Sequence, residues 1–209
     1  MGNKQIIVID WDNTVINTSK TLINLHNKLS ENKIEYIEEH DWKFRPMVST
    51  DEELKELFKL FDNEHFYDED VLVPIENSIE AIKLLSEVYK IVICSKHEKS
   101  RRELTKNYIE KTFEGYDVSI EFVDNFEDKG ELFKDKNVLA VIDDKIECFT
   151  GFNKWVIKIL FGNYQWNKHC LIIGSSYRTD SWNMIVAIFV ECDKRLFDYI
   201  AKMCLNKIK

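Results

Sequence analysis

Asp10 and Asp12 close the run "IIVIDWDNTV" (residues 6–15), directly after four branched apolar residues. Two later apolar runs end in the same manner. "YKIVICS" (89–95) finishes on Ser95, and "VLAVIDD" (138–144) on Asp143 and Asp144. Carboxylates gathered at one spot repel one another, and the repulsion raises their pKa values unless a counter-charge is present. A hard divalent cation is the simplest counter-charge. An all-oxygen donor set of Asp10, Asp12, Asp143 and Asp144 favours Mg2+ over zinc. A single Asp after a strand is an ordinary loop start. A D-x-D-x-T pattern followed by a second acidic pair is much less easily explained that way.

The elements that must position these groups follow from periodicity. The runs at 5–10, 89–95 and 138–144 are continuous rather than alternating, as strands buried on both faces are. "WVIKILF" (155–161) is a fourth apolar run. Between the strands, 78–88 carries Ile79, Ile82, Leu85 and Val88 at helical spacing, and 98–113 carries Leu104, Tyr108 and Phe113. Strands alternating with helices predict a parallel sheet with right-handed crossovers. Ligands of such sheets bind beyond the carboxyl ends of the strands, so neighbouring strands would bring the acids and Ser95 together. By strand alternation Trp11 points away from Asp10 and Asp12 and packs.

Residues 16–75 break this rhythm. "TLINLHNKL" and "TDEELKELFKLF" read as helices, the second opened by a capping box of Thr50 and Glu53, with a loop "EEHDWKFRPMVS" between them. The block is too long for a simple crossover and reads as a mostly helical insertion after the first strand. From Ser181 to Ile208, Trp182, Ile185, Phe189, Leu196, Ile200 and Met203 predict one long or two short amphipathic helices, with the aromatic residues packing the core.

Bulk properties narrow the function classes. A chain of 209 residues suits one α/β domain with a small insertion. The net charge of −8 gives no general field for a nucleic-acid backbone, so strong nucleic-acid binding is not expected. A small anionic substrate is compatible if local cations offset the charge. Cys94, Cys148, Cys170, Cys192 and Cys204 form no C-x-x-C pair and read as reduced thiols of a cytoplasmic protein. The first apolar run is too short for a signal peptide. Met1-Gly2 opens like a myristoylation signal, but Ile6 stands where that motif needs Ser or Thr. "MIVAIFV" (184–190) is too short to span a bilayer. No membrane association is expected, and a homodimer is left open.

"VIDWDNTV", "IVICS" and "LAVIDD", in this order, resemble motifs I, II and IV of the haloacid dehalogenase (HAD) superfamily phosphatases, over most of the chain. The resemblance implies an α/β, HAD-like Rossmannoid core with a parallel sheet and a small helical cap inserted after the first strand. The core would be residues 1–15 and 76–209, the cap 16–75. It implies Asp10 as nucleophile, Asp12 as general acid/base, Ser95 as the motif-II hydroxyl, and Asp143 and Asp144 as metal-binding acids. The motif-III lysine is best matched by Lys129 in "NFEDKGELFKDKNVLAVIDD", whereas Lys134 and Lys136 are expected to face solvent. Asn13 stands where many relatives have Gly and tolerates the same tight turn.

"HDWKF", "LFDNEHFYDEDVLVPIEN", "ILFGNYQWNK" and "RTDSW" are similar to the 5′(3′)-deoxyribonucleotidase family. That similarity implies Mg2+-dependent hydrolysis of (deoxy)nucleoside monophosphates. A base needs an aromatic or apolar face, and Trp42, Phe44, Phe66 and Tyr67 are candidates. For any single one of them, packing in the cap's own core is the reading favoured over base stacking. Ser95 replaces the Thr usual in that family and donates the same hydrogen bond. Lys96 opens a basic cluster over 96–102, readable as a solvated helix start, as extra attraction for phosphate, or as a contact for a longer oligonucleotide. Alternatives are a phosphatase for another small ester or for a nucleic-acid 3′-phosphate, and a non-catalytic binding protein on this fold.

Overall fold

The computed structural model describes residues 4–171 and 176–206. Met1 and Gly2, the myristoylation-like start, lie outside the described residues. Strand β1 (Ile6–Ile9) is the centre of the molecule, with Ile7, Val8 and Ile9 fully buried. It pairs in parallel with β2 (Lys90–Lys96) on one side and β4 (Val138–Asp143) on the other. β3 (Val118–Val123) extends the sheet beyond β2; β5 (Ile157–Phe161) and β6 (Ser176–Thr179) extend it beyond β4. Every neighbouring pair is parallel, in the order β3-β2-β1-β4-β5-β6. The strand order reverses between β1 and β4, which is where a sheet of this kind opens a crevice.

Alternation along β1 sends side chains to two cores. Ile7 and Ile9 join the larger one, with Leu85, Ile109, Trp182 and Phe189; Val8 joins Val92, Val141, Phe133 and Phe149 on the opposite face. The covering helices are α3 (Ser78–Ser86), α4 (Lys99–Thr112), α5 (Asp128–Phe133), α6 (Trp182–Cys192) and α7 (Lys194–Asn206), named here after α1 (Thr18–Leu29) and α2 (Asp51–Lys59) of the inserted segment. The C-terminal pattern resolves into two helices, broken at Asp193. No helix among the described residues is long and apolar enough to cross a membrane.

The inserted segment leaves and rejoins the core at one place. Ile16 bridges Pro74 in antiparallel fashion, Asn17 N–H donates to Val73 O at 2.8 Å, and Ile75 N–H donates to Val15 O at 2.9 Å. Asn17 caps α1, and Thr50 with Glu53 forms the expected capping box on α2. Two 3-10 turns, Leu60–Asp62 and Glu64–Tyr67, complete the segment. Two strands went unanticipated. β3 is an edge strand whose alternate residues are polar and exposed, and β6 is four largely polar residues.

Candidate active site

The backbone after β1 turns sharply at Asn13, whose φ is +56°. Asn is among the few residues that accept this left-handed geometry cheaply. Val15 N–H and Ile16 N–H both return to Trp11 O, so the loop is a closed, hydrogen-bonded unit. Trp11 is fully buried with its ring 6.0 Å from that of Tyr108, as a packing residue. Asp10 N–H donates to Ile142 O of β4 at 2.9 Å, which registers Asp10 against the strand carrying Asp143.

Asp10, Asp143 and Asp144 form one buried cluster, each offering a carboxylate oxygen within 4.8 Å of the others. Lys129, at the start of α5 and fully buried, donates from Nζ to Asp10 Oδ1 and to Asp143 Oδ2, both at 2.6 Å. Burial pushes the Asp10 carboxyl up to about 7; Lys129 opposes this, and Asp143 and Asp12 add to it. Burial, Asp10 and Asp143 likewise hold Asp144 well above the carboxylate range. Burial disfavours the charged Lys129, but Asp10 and Asp143 outweigh it and keep the ammonium fully protonated. One ammonium against three carboxylates leaves the cluster short of positive charge. An all-oxygen set with that deficit fits a hard divalent cation such as Mg2+.

Lys129 reaches its partners because α5 docks closely on the turn at 146–151. A Cβ on Gly130 would lie 2.1 Å from Thr150 O and 2.7 Å from two Gly151 backbone atoms. Only glycine permits that approach.

Asp12 belongs to a different environment from the one expected for a fourth metal ligand. Its carboxylate lies outside the Asp10, Asp143 and Asp144 cluster. Oδ1 accepts from Thr18 Oγ1 at 2.6 Å and Arg101 Nη2 at 2.8 Å; Oδ2 lies 2.7 Å from His97 Nε2. Burial alone would raise the Asp12 pKa, but Arg101 and His97 outweigh it and hold the carboxyl far below its usual range. Burial lowers the His97 pKa, so the imidazole is neutral near pH 7.

The segment after β5 braces the other side. Trp166 Nε1 donates to Asp144 Oδ2 at 2.9 Å, and Asn167 Nδ2 donates to Asp144 O at 2.9 Å and Phe161 O at 2.8 Å. Tyr164 stacks on Trp166 with centroids 4.6 Å apart and donates its hydroxyl proton to Asn13 O at 2.7 Å. Arg178 ties the same segment through Asn167 O and Cys170 O.

A cavity of about 430 Å3 opens over Asp10, Asp12, Ser95 and Asp144. Its walls include Trp42, Phe58 and Phe61 of the inserted segment, and Lys96, Phe126 and Lys145 of the core. The Lys145 ammonium sits 3.9 Å from the Trp42 ring centroid and 3.7 Å from that of Phe126. Lys96 is exposed and 4.8 Å from the Phe126 ring.

Of the expected aromatic faces, only Trp42 lines this cavity. Phe44 and Phe66 are buried in the insertion, and Tyr67 turns to α4, where its hydroxyl donates to Thr105 Oγ1 at 2.8 Å. Phe44 and Phe66 belong to, and Tyr67 packs against, the larger core shared with Ile7 and Ile9, where their apolar surface is removed from water. Lys134 and Lys136 are exposed, as expected. The basic cluster splits: Lys96 faces the cavity, Arg102 pairs with Asp124, and His97 and Arg101 are buried against Asp12. His97, Arg101, Phe126, Lys145 and Trp166 were not singled out from sequence. The strand-end rule covers only groups that terminate strands, and these residues follow them.

No family model matches the sequence, and no curated protein matches it. Solved structures do. A haloacid dehalogenase-like hydrolase from Burkholderia xenovorans superposes with a TM-score of 0.60 at 12% identity, covering 93% of this chain and 99% of that one. The fold is that of the haloacid dehalogenase-like hydrolases. A HAD hydrolase from Bacillus subtilis, solved with magnesium bound, gives a TM-score of 0.54 at 11% identity, with 89% and 98% coverage. A phosphatase-class structure from Clostridium difficile gives 0.50 at 16% identity, with 90% and 99% coverage.

Proposed function

We propose that the protein is a Mg2+-dependent phosphatase of (deoxy)nucleoside monophosphates that works through an aspartyl phosphate on Asp10. The observation that carries this is the split between two aspartates of one loop. Asp10 is placed among acids beside a buried ammonium, and Asp12 is placed apart, held by Arg101 and His97. Titratable groups driven in opposite directions mark separate chemical roles.

In the proposed reaction an Asp10 carboxylate oxygen attacks phosphorus, and the bond from phosphorus to the ester oxygen breaks. Asp12 gives that oxygen its proton, then takes one from the water that cleaves the aspartyl phosphate and releases inorganic phosphate. Arg101 also lines the cavity, so an entering phosphate competes with Asp12 for the guanidinium and eases protonation of the carboxyl. Ser95 and Lys129 donate to the phosphoryl oxygens. Mg2+, held by Asp10, Asp143 and Asp144, offsets the repulsion between the nucleophile and the phosphoryl group when bound.

Residues 16–75 act as the cap, hinged where Ile16 meets Pro74, and supply Trp42, Phe58 and Phe61 to the cavity. Aromatic walls beside a phosphate site suit a nucleobase. Cys94, Cys148, Cys170 and Cys192 are free thiols, in keeping with a reducing, cytoplasmic setting. A panel of phosphate esters with Mg2+ tests the proposal. Nucleoside monophosphates are expected to be hydrolysed at least ~10-fold more efficiently than sugar phosphates, and Asp10→Asn to lose at least ~10^4-fold in kcat while staying folded. Equal rates on nucleotides and sugar phosphates would remove the nucleotidase assignment. An active Asp10→Asn would remove the mechanism.

A further inference from the structure

Behind Asp12 lies a chain of groups that the proposed reaction does not use directly. His97 has a fully buried side chain between the Asp12 carboxylate and Thr105 of α4, with Nδ1 3.0 Å from Thr105 Oγ1. Tyr67, from the inserted segment, donates to the same Thr105 oxygen at 2.8 Å. Arg101, which with Thr18 also holds Asp12, lies with its guanidinium 4.3 and 4.9 Å from the ring centroids of Phe61 and Phe66, also of the inserted segment.

A neutral imidazole has one N–H, and an ionised carboxylate can only accept. The proton therefore belongs on Nε2, facing Asp12, and Nδ1 needs a donor. Thr105 provides it, while its oxygen accepts from Tyr67. The Thr105 hydroxyl also lies 3.1 Å from Arg101 O in its own helix. Turning there would leave Nδ1 buried and without a partner, whereas Arg101 O already serves the helix backbone.

We infer that His97 is a positioning residue for proton transfer at Asp12: its Nε2–H fixes the carboxylate, and Thr105 and Tyr67 fix the ring. This role rests on the phosphatase activity proposed above. It ties the geometry of the acid/base to the docking of the inserted segment, because Tyr67 ends the chain.

Two esters separate this role from a merely structural one. p-Nitrophenyl phosphate releases a leaving group that departs unprotonated, whereas an alkyl phosphate needs the proton from Asp12. General acid catalysis contributes about 10^2–10^4-fold. The readout is kcat/KM, which reports the transfer to Asp10. His97→Ala is expected to lower it about 30-fold or more for the alkyl ester and less than about 3-fold for the nitrophenyl ester. His97→Gln, with an amide N–H toward Asp12, is expected to recover most of the loss. Thr105→Val and Tyr67→Phe are expected to shift the ratio in the same direction by smaller factors, and they carry the test if His97→Ala does not fold. In the 15N NMR spectrum of the resting protein the His97 ring is expected as the Nε2–H tautomer. Equal losses on both esters, or an Nδ1–H ring, would overturn the inference alone. Hydrolysis of neither ester by the native protein would overturn the phosphatase proposal and this role with it.

Discussion

Asp10 owes its raised pKa of about 7 first to burial, against an ordinary carboxylate value of 3.8. Between these pH values the folded protein keeps a proton that the unfolded chain has released. Stability from this group is therefore present at low pH and falls as pH rises toward about 7. Asp144 acts in the same direction. A cation entering the cluster must displace those protons, so its affinity rises over the same window. Mg2+ is expected to bind about tenfold more tightly at pH 8 than at pH 6 from Asp10 alone, and to raise Tm more at pH 8. Calorimetric titration and thermal melts at both pH values check this; equal Tm increments would remove Asp10 from the cation site. Asp10, Asp143 and Asp144 were legible in sequence because each ends a buried apolar run. Lys129 was singled out only through the resemblance to the motif-III lysine, since Lys134 and Lys136 also precede the last of those strands. His97 and Arg101 were not, because their partner lies 85 and 89 positions away and nothing local marks them as buried.

At the scale of elements, α5 is six residues long and is held by its close approach to the 146–151 turn. Overpacking a tight contact costs about 1–3 kcal/mol. Gly130→Ala is therefore expected to destabilise the protein by that amount. It is also expected to lower kcat at least ~10-fold by moving Lys129 from Asp10 and Asp143. Urea unfolding and steady-state kinetics give the two readings, and unchanged kcat with lost stability would separate the helix from the chemistry. The strands at 6–9, 90–96 and 138–143 and the helices at 78–86 and 99–112 could be read directly, since burial on both faces of a strand leaves a continuous apolar run and burial of one helix face leaves a 3.6-residue period. β6 could not, because its four residues are largely polar, and β3 carries the apolar/polar alternation of a half-exposed edge strand in place of a continuous run. Of the cavity wall, Lys96 and, among the aromatic side chains, Trp42 alone were legible: helical spacing places an aromatic on a face, not on the inside or outside of an insertion.

Across the whole molecule, the C-terminal helices brace the loop that carries Asp10 and Asp12. Trp182 at the start of α6 is buried and donates from Nε1 to Thr14 O at 2.9 Å. Trp182→Phe keeps most of the apolar contact and removes that donor. It is expected to cost about 1–3 kcal/mol by leaving a buried carbonyl unpaired. A several-fold loss of kcat is expected as the loop of Asp10 and Asp12 loosens. Thermal melts and kinetics on the same preparation check both, and a full-activity variant would confine Trp182 to stability.

The pairing of Lys129 with Asp10 joins residues 119 positions apart. During synthesis at about 5–20 residues per second, roughly ten seconds separate the appearance of the acid from that of its counter-charge. For that interval the ribosome-bound chain carries β1 and its aspartates with neither β4 nor the lysine to receive them. The central strand of the sheet is thus the earliest made and among the last to be satisfied, and chaperone contacts with the nascent chain would be expected to fall there.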